Sequence, residues 1–279
     1  PVRLDFSVLV SLNFDMSSVD PPPYPGPPEQ QQPWMQQPID AVEPSRNGLE
    51  YLLPLETVLL QQKRDLMTTL TRVPLPKCYA LKTNNDELIY EMKETSNGYI
   101  TGGTCQPHRP FTVSAVDSGG REAAVFTRKR KSTQCVGSCA KDEQYMDNMT
   151  IESPPGQLVG CIKQVYNGNV TMYMIQDANG EAIFRIYGMS YTLCCVTGQT
   201  QVEFPVTAPD GTGNPVASIT KKFYMNTMQQ MMTPGADTFT INMPKDLHLE
   251  MKITLIGVCV LFDFLFFDTS LRDSHQHSG

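Results

Sequence analysis

The chain has 279 residues, enough for one large domain or two ordinary ones and ample to bury a core. It is 40% hydrophobic and only 18% charged, and Lys+Arg 22 against Asp+Glu 29 leaves a net charge of −7. A globally basic nucleic-acid binder is therefore disfavoured, although a local basic patch is not. No apolar run reaches the roughly 18–20 residues of a comfortable membrane span, which excludes a polytopic transporter.

Residues 1–15 alternate apolar and polar through Val2, Leu4, Phe6, Val8, Val10, Leu12 and Phe14, a strand pattern. It stands alone beside a Pro-rich stretch, and Met16-Ser-Ser-Val-Asp20 is a more natural start. Residues 1–15 are therefore expected to be upstream sequence outside the native protein. Residues 16–47 are rich in Pro and Gln, with one Trp and few other large apolar groups. Such a segment cannot bury enough surface to offset its ordering entropy, so disorder with polyproline II bias is expected. Within it, Pro21-Pro22-Pro23-Tyr24 fits the PPxY pattern that WW domains read in aromatic grooves. A plain Pro-rich linker is the alternative.

The segment Leu49–Leu66 predicts a helix. Pro54 sits where a first-turn proline belongs, and Leu55, Val58, Leu59, Gln62 and Leu66 keep to one stripe. From Cys78 the pattern becomes strand and turn. Tyr79–Lys82 and Leu88–Met92 flank Asn84-Asn85-Asp86, and Phe111–Val116 and Glu122–Arg128 flank Asp117-Ser-Gly-Gly120. Leu158–Tyr166 turns at Gly168 into Val170–Gln176, which turns at Asp177-Ala-Asn-Gly180 into Glu181–Tyr187. Gln201–Thr207 and Val216–Phe223 flank Asp210-Gly211. Repeated hairpins of this kind predict an antiparallel meander, most economically closed as a barrel that has no edges.

Ile253–Phe267 is apolar or Gly except at Thr254 and Asp263. As a helix it would be about 22 Å long, against roughly 30 Å of hydrocarbon. Asp263 would cost about 2.5–3.5 kcal/mol near a bilayer centre. A helix apolar on every side must be buried on every side, in lipid or inside a barrel, and both length and Asp263 favour the barrel. The eight cysteines (78, 105, 135, 139, 161, 194, 195, 259) form no CxxC pairs. No secretory signal pattern is visible, so reduced thiols facing cytosol are expected and a zinc site is not.

Four stretches resemble the phospholipid scramblases: Gly48-Leu-Glu-Tyr-Leu52, Arg109-Pro-Phe-Thr112, Pro154-Pro-Gly156 followed by Gly160, and Pro244-Lys-Asp-Leu247 leading into Met251-Lys252 and the apolar helix. No single stretch is specific, but their order from Gly48 to Asp268 is, and the Pro-rich N-terminal region is also typical. The resemblance implies a mainly β, Tubby-like fold: a closed antiparallel barrel of about twelve strands enclosing a C-terminal hydrophobic helix. The expected organisation is a domain over residues 48–268, with its helix at 249–267, and a disordered tail over 269–279. The implied activity is calcium-triggered, ATP-independent, bidirectional movement of phospholipids between leaflets. That is transport without covalent chemistry, and no nucleophile–base pair, phosphate loop or paired carboxylates argue for an enzyme.

The family's calcium segment falls on Gly235–Asp246 and is likened to an EF-hand loop, placing ligands at Gly235, Asp237, Phe239, Ile241, Met243 and Asp246. An EF-hand wants more carboxylates and a Gly at its sixth position, where this chain has Thr240. The alternation from Asp237 to Met243 reads instead as a strand, so any calcium binding is expected to be weak, resting on Asp237 and Asp246. The family's palmitoylation cluster is thinned to Cys135 and Cys139. They follow the run Arg128-Lys129-Arg130-Lys131, which is expected to contact anionic lipid. Acyl chain and basic run together would supply the two signals of a stable anchor. The same run also reads as a nuclear signal.

The resemblance thus implies a scramblase at the cytoplasmic face of the plasma membrane, with a nuclear pool as a lesser expectation. Phospholipid is the main partner, WW or SH3 proteins and a homo-oligomer are further ones, and nucleic acid is not expected. In an oligomer, Asp263 could face a polar path. The rival reading is a lipid-tethered adaptor that recruits WW or SH3 partners through its Pro-rich arm.

Overall fold

The computed structural model describes residues 33–36, 48–63, 76–95, 109–129, 146–167, 170–189, 201–222 and 238–267. The chain divides into two compact units, Pro1–Gln31 and Gln32–Gly279, and every described residue belongs to the second. The expectations for residues 1–15, the Pro21–Tyr24 motif and the tail 269–279 lie outside the described residues.

Twelve strands form one closed antiparallel barrel: β1 (Thr57–Lys63), β2 (Cys78–Thr83), β3 (Leu88–Glu94), β4 (Phe111–Val116), β5 (Glu122–Arg128), β6 (Asn148–Glu152), β7 (Leu158–Asn167), β8 (Val170–Asp177), β9 (Ala182–Tyr187), β10 (Gln201–Thr207), β11 (Ala217–Lys222) and β12 (Thr238–Asn242). Each strand pairs with its sequence neighbours, and β1 closes the ring on β12 through Val58↔Ile241 and Leu60↔Phe239. The hairpins fold where short polar turns can satisfy their own backbone. Asp117 Oδ1 accepts from the amides of Gly119 and Arg121, and Asp177 Oδ1 from those of Asn179 and Glu181. Gly120 and Gly180 then take φ 77° and 84°, a left-handed conformation that a side chain resists.

Inside the barrel lies the helix α1 (Leu249–Phe266). Met251 through Leu265 are all buried, and the inward strand residues Val58, Leu60, Leu81, Val113, Phe126, Ile151 and Ile219 are at 0% exposure. Aromatic rings fill the gap between wall and helix: Phe111 stacks on Phe264 at 3.9 Å, and Phe204 and Tyr173 meet Phe262 at 5.0 and 5.3 Å. Two glycines allow the closest approaches. A Cβ at Gly160 of β7 would overlap Thr254 Oγ1, and one at Gly257 of α1 would lie 3.1 Å from Met149 and Ile151. The barrel supplies the apolar surroundings that a uniformly apolar helix requires. Among the described residues, no helix is long and apolar enough to cross a membrane.

Over its described part, residues 49–63, the helix expected for Leu49–Leu66 does not form. Glu50–Leu52 make a 3-10 turn and β1 follows. The stripe that suggested a helix is split by the sheet, which buries Val58 and Leu60 and leaves Leu59 only half-buried. Without β1, the ladders of β12 and β2 would both be open edges, so long-range pairing overrides the local period. Strand β6 has no counterpart among the expected hairpins. Within the Pro/Gln-rich region, Pro33 and Met35 hydrogen-bond Leu88, Pro33 C=O accepting from the Leu88 amide and the Met35 amide donating to Leu88 C=O, each at 2.8 Å.

Candidate functional site

The meander sorts its connections by end. Register pairs Lys63↔Cys78, Arg128↔Met149 and Gln201↔Lys222 mark the strand ends that flank residues 64–75, 130–145 and 223–237. These strand ends lie at the C-terminal end of α1, because Lys77 reaches Asp263. The short turns after β2, β4, β8 and β10 gather at the opposite end, where α1 begins. Of the expected functional residues that are described, Asp263, Arg128 and Lys129 belong to the long-connection end and Asp246 to the opposite one.

Asp263 is the centre of that end. Its side chain is 1% exposed; its Oδ2 accepts from Lys77 Nζ at 2.8 Å and from Tyr79 Oη at 2.9 Å, and Lys221 Nζ stands 3.5 Å from Oδ1. Burial alone would raise its pKa, but the Lys77 and Lys221 charges and the hydrogen bonds from Lys77 and Tyr79 bring it from the usual 3.8 down to about 2. Around it, Glu94 pairs with Arg109 and Asp147 with Arg128, all four side chains buried. Lys77 lies 4.3 Å and Arg109 4.7 Å from the Phe264 ring centroid. At the other end, Lys252 Nζ donates to the carbonyls of Leu52, Leu53, Leu55 and Lys245 at 2.8–3.2 Å. Burial pushes this ammonium below the usual lysine range, against the opposing pull of Asp246 and Glu56.

Asp263 was legible as the polar residue of the helix; its partners were not. The available signal was parity, since in a meander Lys77 and Lys221 adjoin strand termini at one and the same end. The structure also corrects the role given to Asp263. Bound to Lys77, Tyr79 and Lys221 inside the barrel, it cannot line a path between copies of the chain. Arg128 needs a similar correction as a lipid contact, because its side chain is at 0% exposure and paired with Asp147. Lys129 is exposed, and Arg130, Lys131, Cys135 and Cys139 lie outside the described residues. Among the described residues, Cys78, Cys161 and Cys259 are free thiols.

The calcium segment does not fit an EF-hand. Residues 238–242 are β12, held between β1 and β11, and Phe239 and Ile241 point into the barrel at 1% and 0% exposure. Their backbone is engaged by ladders on both sides rather than curved about an ion. Met243 is buried, Asp246 is exposed, and Gly235 and Asp237 lie outside the described residues. Among the described residues, no group of three His, Cys, Asp or Glu side chains converges as a metal site would require. A shallow groove lined by Glu56, Glu203, Val216 and Asn242 presents two carboxylates, which suits no phosphate headgroup.

The chain matches a family model described as Scramblase over residues 35–269. It is 30% identical over 245 residues to phospholipid scramblase 2 of Bos taurus, covering 88% of this chain and 79% of that one. To phospholipid scramblase 1 of Homo sapiens it is 29% identical over 250 residues, covering 88% and 73%. A solved protein of Arabidopsis thaliana is similar at a TM-score of 0.40 and 10% identity, over 77% of this chain and 94% of that one.

Proposed function

The chain belongs to the scramblase family, and from that premise we propose that it moves phospholipids between membrane leaflets, in both directions, without ATP and without breaking a covalent bond. The observation that carries this reading is the family match over residues 35–269, which takes in the whole described barrel and its helix. The work is done at the cytoplasmic face of the plasma membrane. Cys135 and Cys139 serve as acyl anchors there, and Lys129, Arg130 and Lys131 supply the second, electrostatic signal of a stable attachment. Calcium is a weak effector in the millimolar range of low-charge sites, with Asp237 and Asp246 as separate candidate carboxylates because the extended strand β12 stands between them.

The filled interior sets a condition on the mechanism. Because α1 occupies the barrel, the headgroup path runs along the outer wall or between assembled copies. That same enclosure favours one second reading, a lipid-tethered adaptor whose Pro21–Tyr24 motif recruits a WW or SH3 protein.

Dithionite quenching of fluorescent phospholipid in liposomes holding the purified full chain separates the two. Empty vesicles lose the outer-leaflet signal alone. The scramblase reading expects loss well beyond that, diminished by the pair Asp237→Ala and Asp246→Ala as calcium is varied. Quenching that stops at the outer leaflet, from folded protein at millimolar calcium, would sink it and leave the adaptor.

A further inference from the structure

Among the described residues, exposed charge divides between the two ends of the barrel, which the net charge of −7 does not announce. At the end where α1 finishes, Lys93, Lys129, Lys163 and Lys222 are exposed. They lie near the end of β3, just after β5, partway along β7 and at the end of β11, so they are spread around the barrel rather than along one wall. Among the described residues, none of them takes part in an ion pair. Among the described residues, the acids of this end are paired: Glu94, Asp147 and Asp263 are buried against Arg109, Arg128 and Lys77, and Glu91 pairs with Lys63 on the surface at 2.7 Å.

The opposite end has the reverse pattern. Glu122, Glu181, Asp210 and Asp246 are exposed on or beside its turns. Its cations are the ones consumed, Lys82 by Asp86, Arg121 by Glu50 and Asp117, and Lys252 by backbone carbonyls. Lys245 is exposed but adjoins Asp246. The seven-residue strand β3 spans about 23 Å, or about 17 Å along the axis of a tilted barrel. That is roughly twice the screening length at physiological salt, about 8 Å, so a charged surface at one end barely senses the other.

We infer that the barrel docks end-on against an anionic phospholipid surface through the end at which α1 finishes, with Lys93, Lys129, Lys163 and Lys222 as its contacts. The inference rests on the reading that this protein works at a phospholipid membrane, and it adds which part of the fold meets the lipid. Charge complementarity decides the orientation. Unpaired lysines spread around this end are attracted to a negative plane, while the exposed carboxylates of the short turns are repelled by it. The same orientation brings the termini flanking residues 130–145 and 223–237, and the exit of α1, next to the bilayer. The exposed apolar residues Trp34, Leu53, Leu158 and Val216 sit at the acidic end and stay in water, as scattered single residues of this kind do.

The test is co-sedimentation of the full chain with phosphatidylcholine vesicles, with and without phosphatidylserine. Each neutralised rim lysine is expected to weaken partitioning onto the anionic vesicles roughly fivefold, so Lys93→Gln, Lys163→Gln and Lys222→Gln together lose on the order of 100-fold. The pair Glu122→Lys and Glu181→Lys changes the net charge by more, yet at the far end, and is expected to leave partitioning within about twofold. Partitioning unmoved by the triple variant overturns the inference, as does a gain from the far-end pair matching the loss at the rim. Lipid movement measured in the same vesicles keeps this separate from the scramblase reading. Rim-dependent binding with quenching confined to the outer leaflet removes scrambling and leaves docking. Scrambling without rim dependence removes docking and leaves scrambling.

Discussion

A full negative charge sits inside this barrel at Asp263 because two lysines and a tyrosine meet it there. Asp263→Asn would keep the shape and leave Lys77 and Lys221 with uncompensated buried charge. Loss of one partner from a buried pair costs about 3–5 kcal/mol, so thermal denaturation should show a Tm fall on the order of 10 °C. The pH dependence has a definite sign. The folded pKa of about 2 lies below the usual 3.8, so the carboxylate's contribution is complete above about pH 5. It fades as pH falls through the folded pKa, amounting to about 2 kcal/mol in all. Urea midpoints measured from pH 5 downward should drop more steeply for the wild type than for Asp263→Asn, and parallel curves would contradict this account. Lys252 is the same problem at the other end, solved with carbonyls in place of carboxylates. Lys252→Met keeps the volume but orphans the acceptors of Leu52, Leu53, Leu55 and Lys245, each worth about 1–3 kcal/mol when left unsatisfied in the interior.

At Gly160 the strand contributes no side chain, and Thr254 of the helix packs directly against it. A methyl there has nowhere to go except into Thr254, and overpacking of this kind costs about 1–3 kcal/mol. Thr254→Ala removes the obstructing Oγ1 and Cγ2, so Gly160→Ala should be better tolerated in that background. A double-mutant cycle by chemical denaturation is expected to give a coupling energy of at least about 1 kcal/mol; additive losses would mean that the helix shifts to make room. The scramblase-like stretch Pro154-Pro-Gly156…Gly160 thus gains a physical reason at its last position. Strand β1 shows the opposite relation of sequence to structure. Its residues suit a helix locally, and only its two neighbours, β12 and β2, make it a strand.

The described strands form a shell closed around α1, so the helix should be released only when the shell opens. Cys259 is fully buried, and burial pushes its thiol well above the usual range. Cys78, on the wall, is half-buried. With a membrane-impermeant thiol reagent and peptide mass spectrometry, Cys78 should be labelled in native buffer and Cys259 only past the unfolding transition. Labelling of Cys259 under native conditions, with no detergent or bilayer present, would show that the helix leaves the barrel without global unfolding.

Much of the fold was legible in the residues themselves. The alternation in the β4–β5, β7–β8–β9 and β10–β11 segments, with Asp and Gly between them, specifies strands and turns because each hairpin satisfies its backbone locally. Ile253–Phe267 declared a helix that needs an apolar sheath, and its length and Asp263 already pointed to protein as that sheath. The family resemblance followed from the order of several short stretches. What only the tertiary structure decided is everything that depends on partners far apart in sequence. The closure by β1, the lysines that neutralise Asp263, the burial of Arg128 out of a run that reads as uniformly exposed, and the division of exposed charge between two ends all arise this way. A barrel brings residues some 186 positions apart into hydrogen-bond contact, as Lys77 and Asp263 show. Local pattern carries no record of which of its charges will be turned inward.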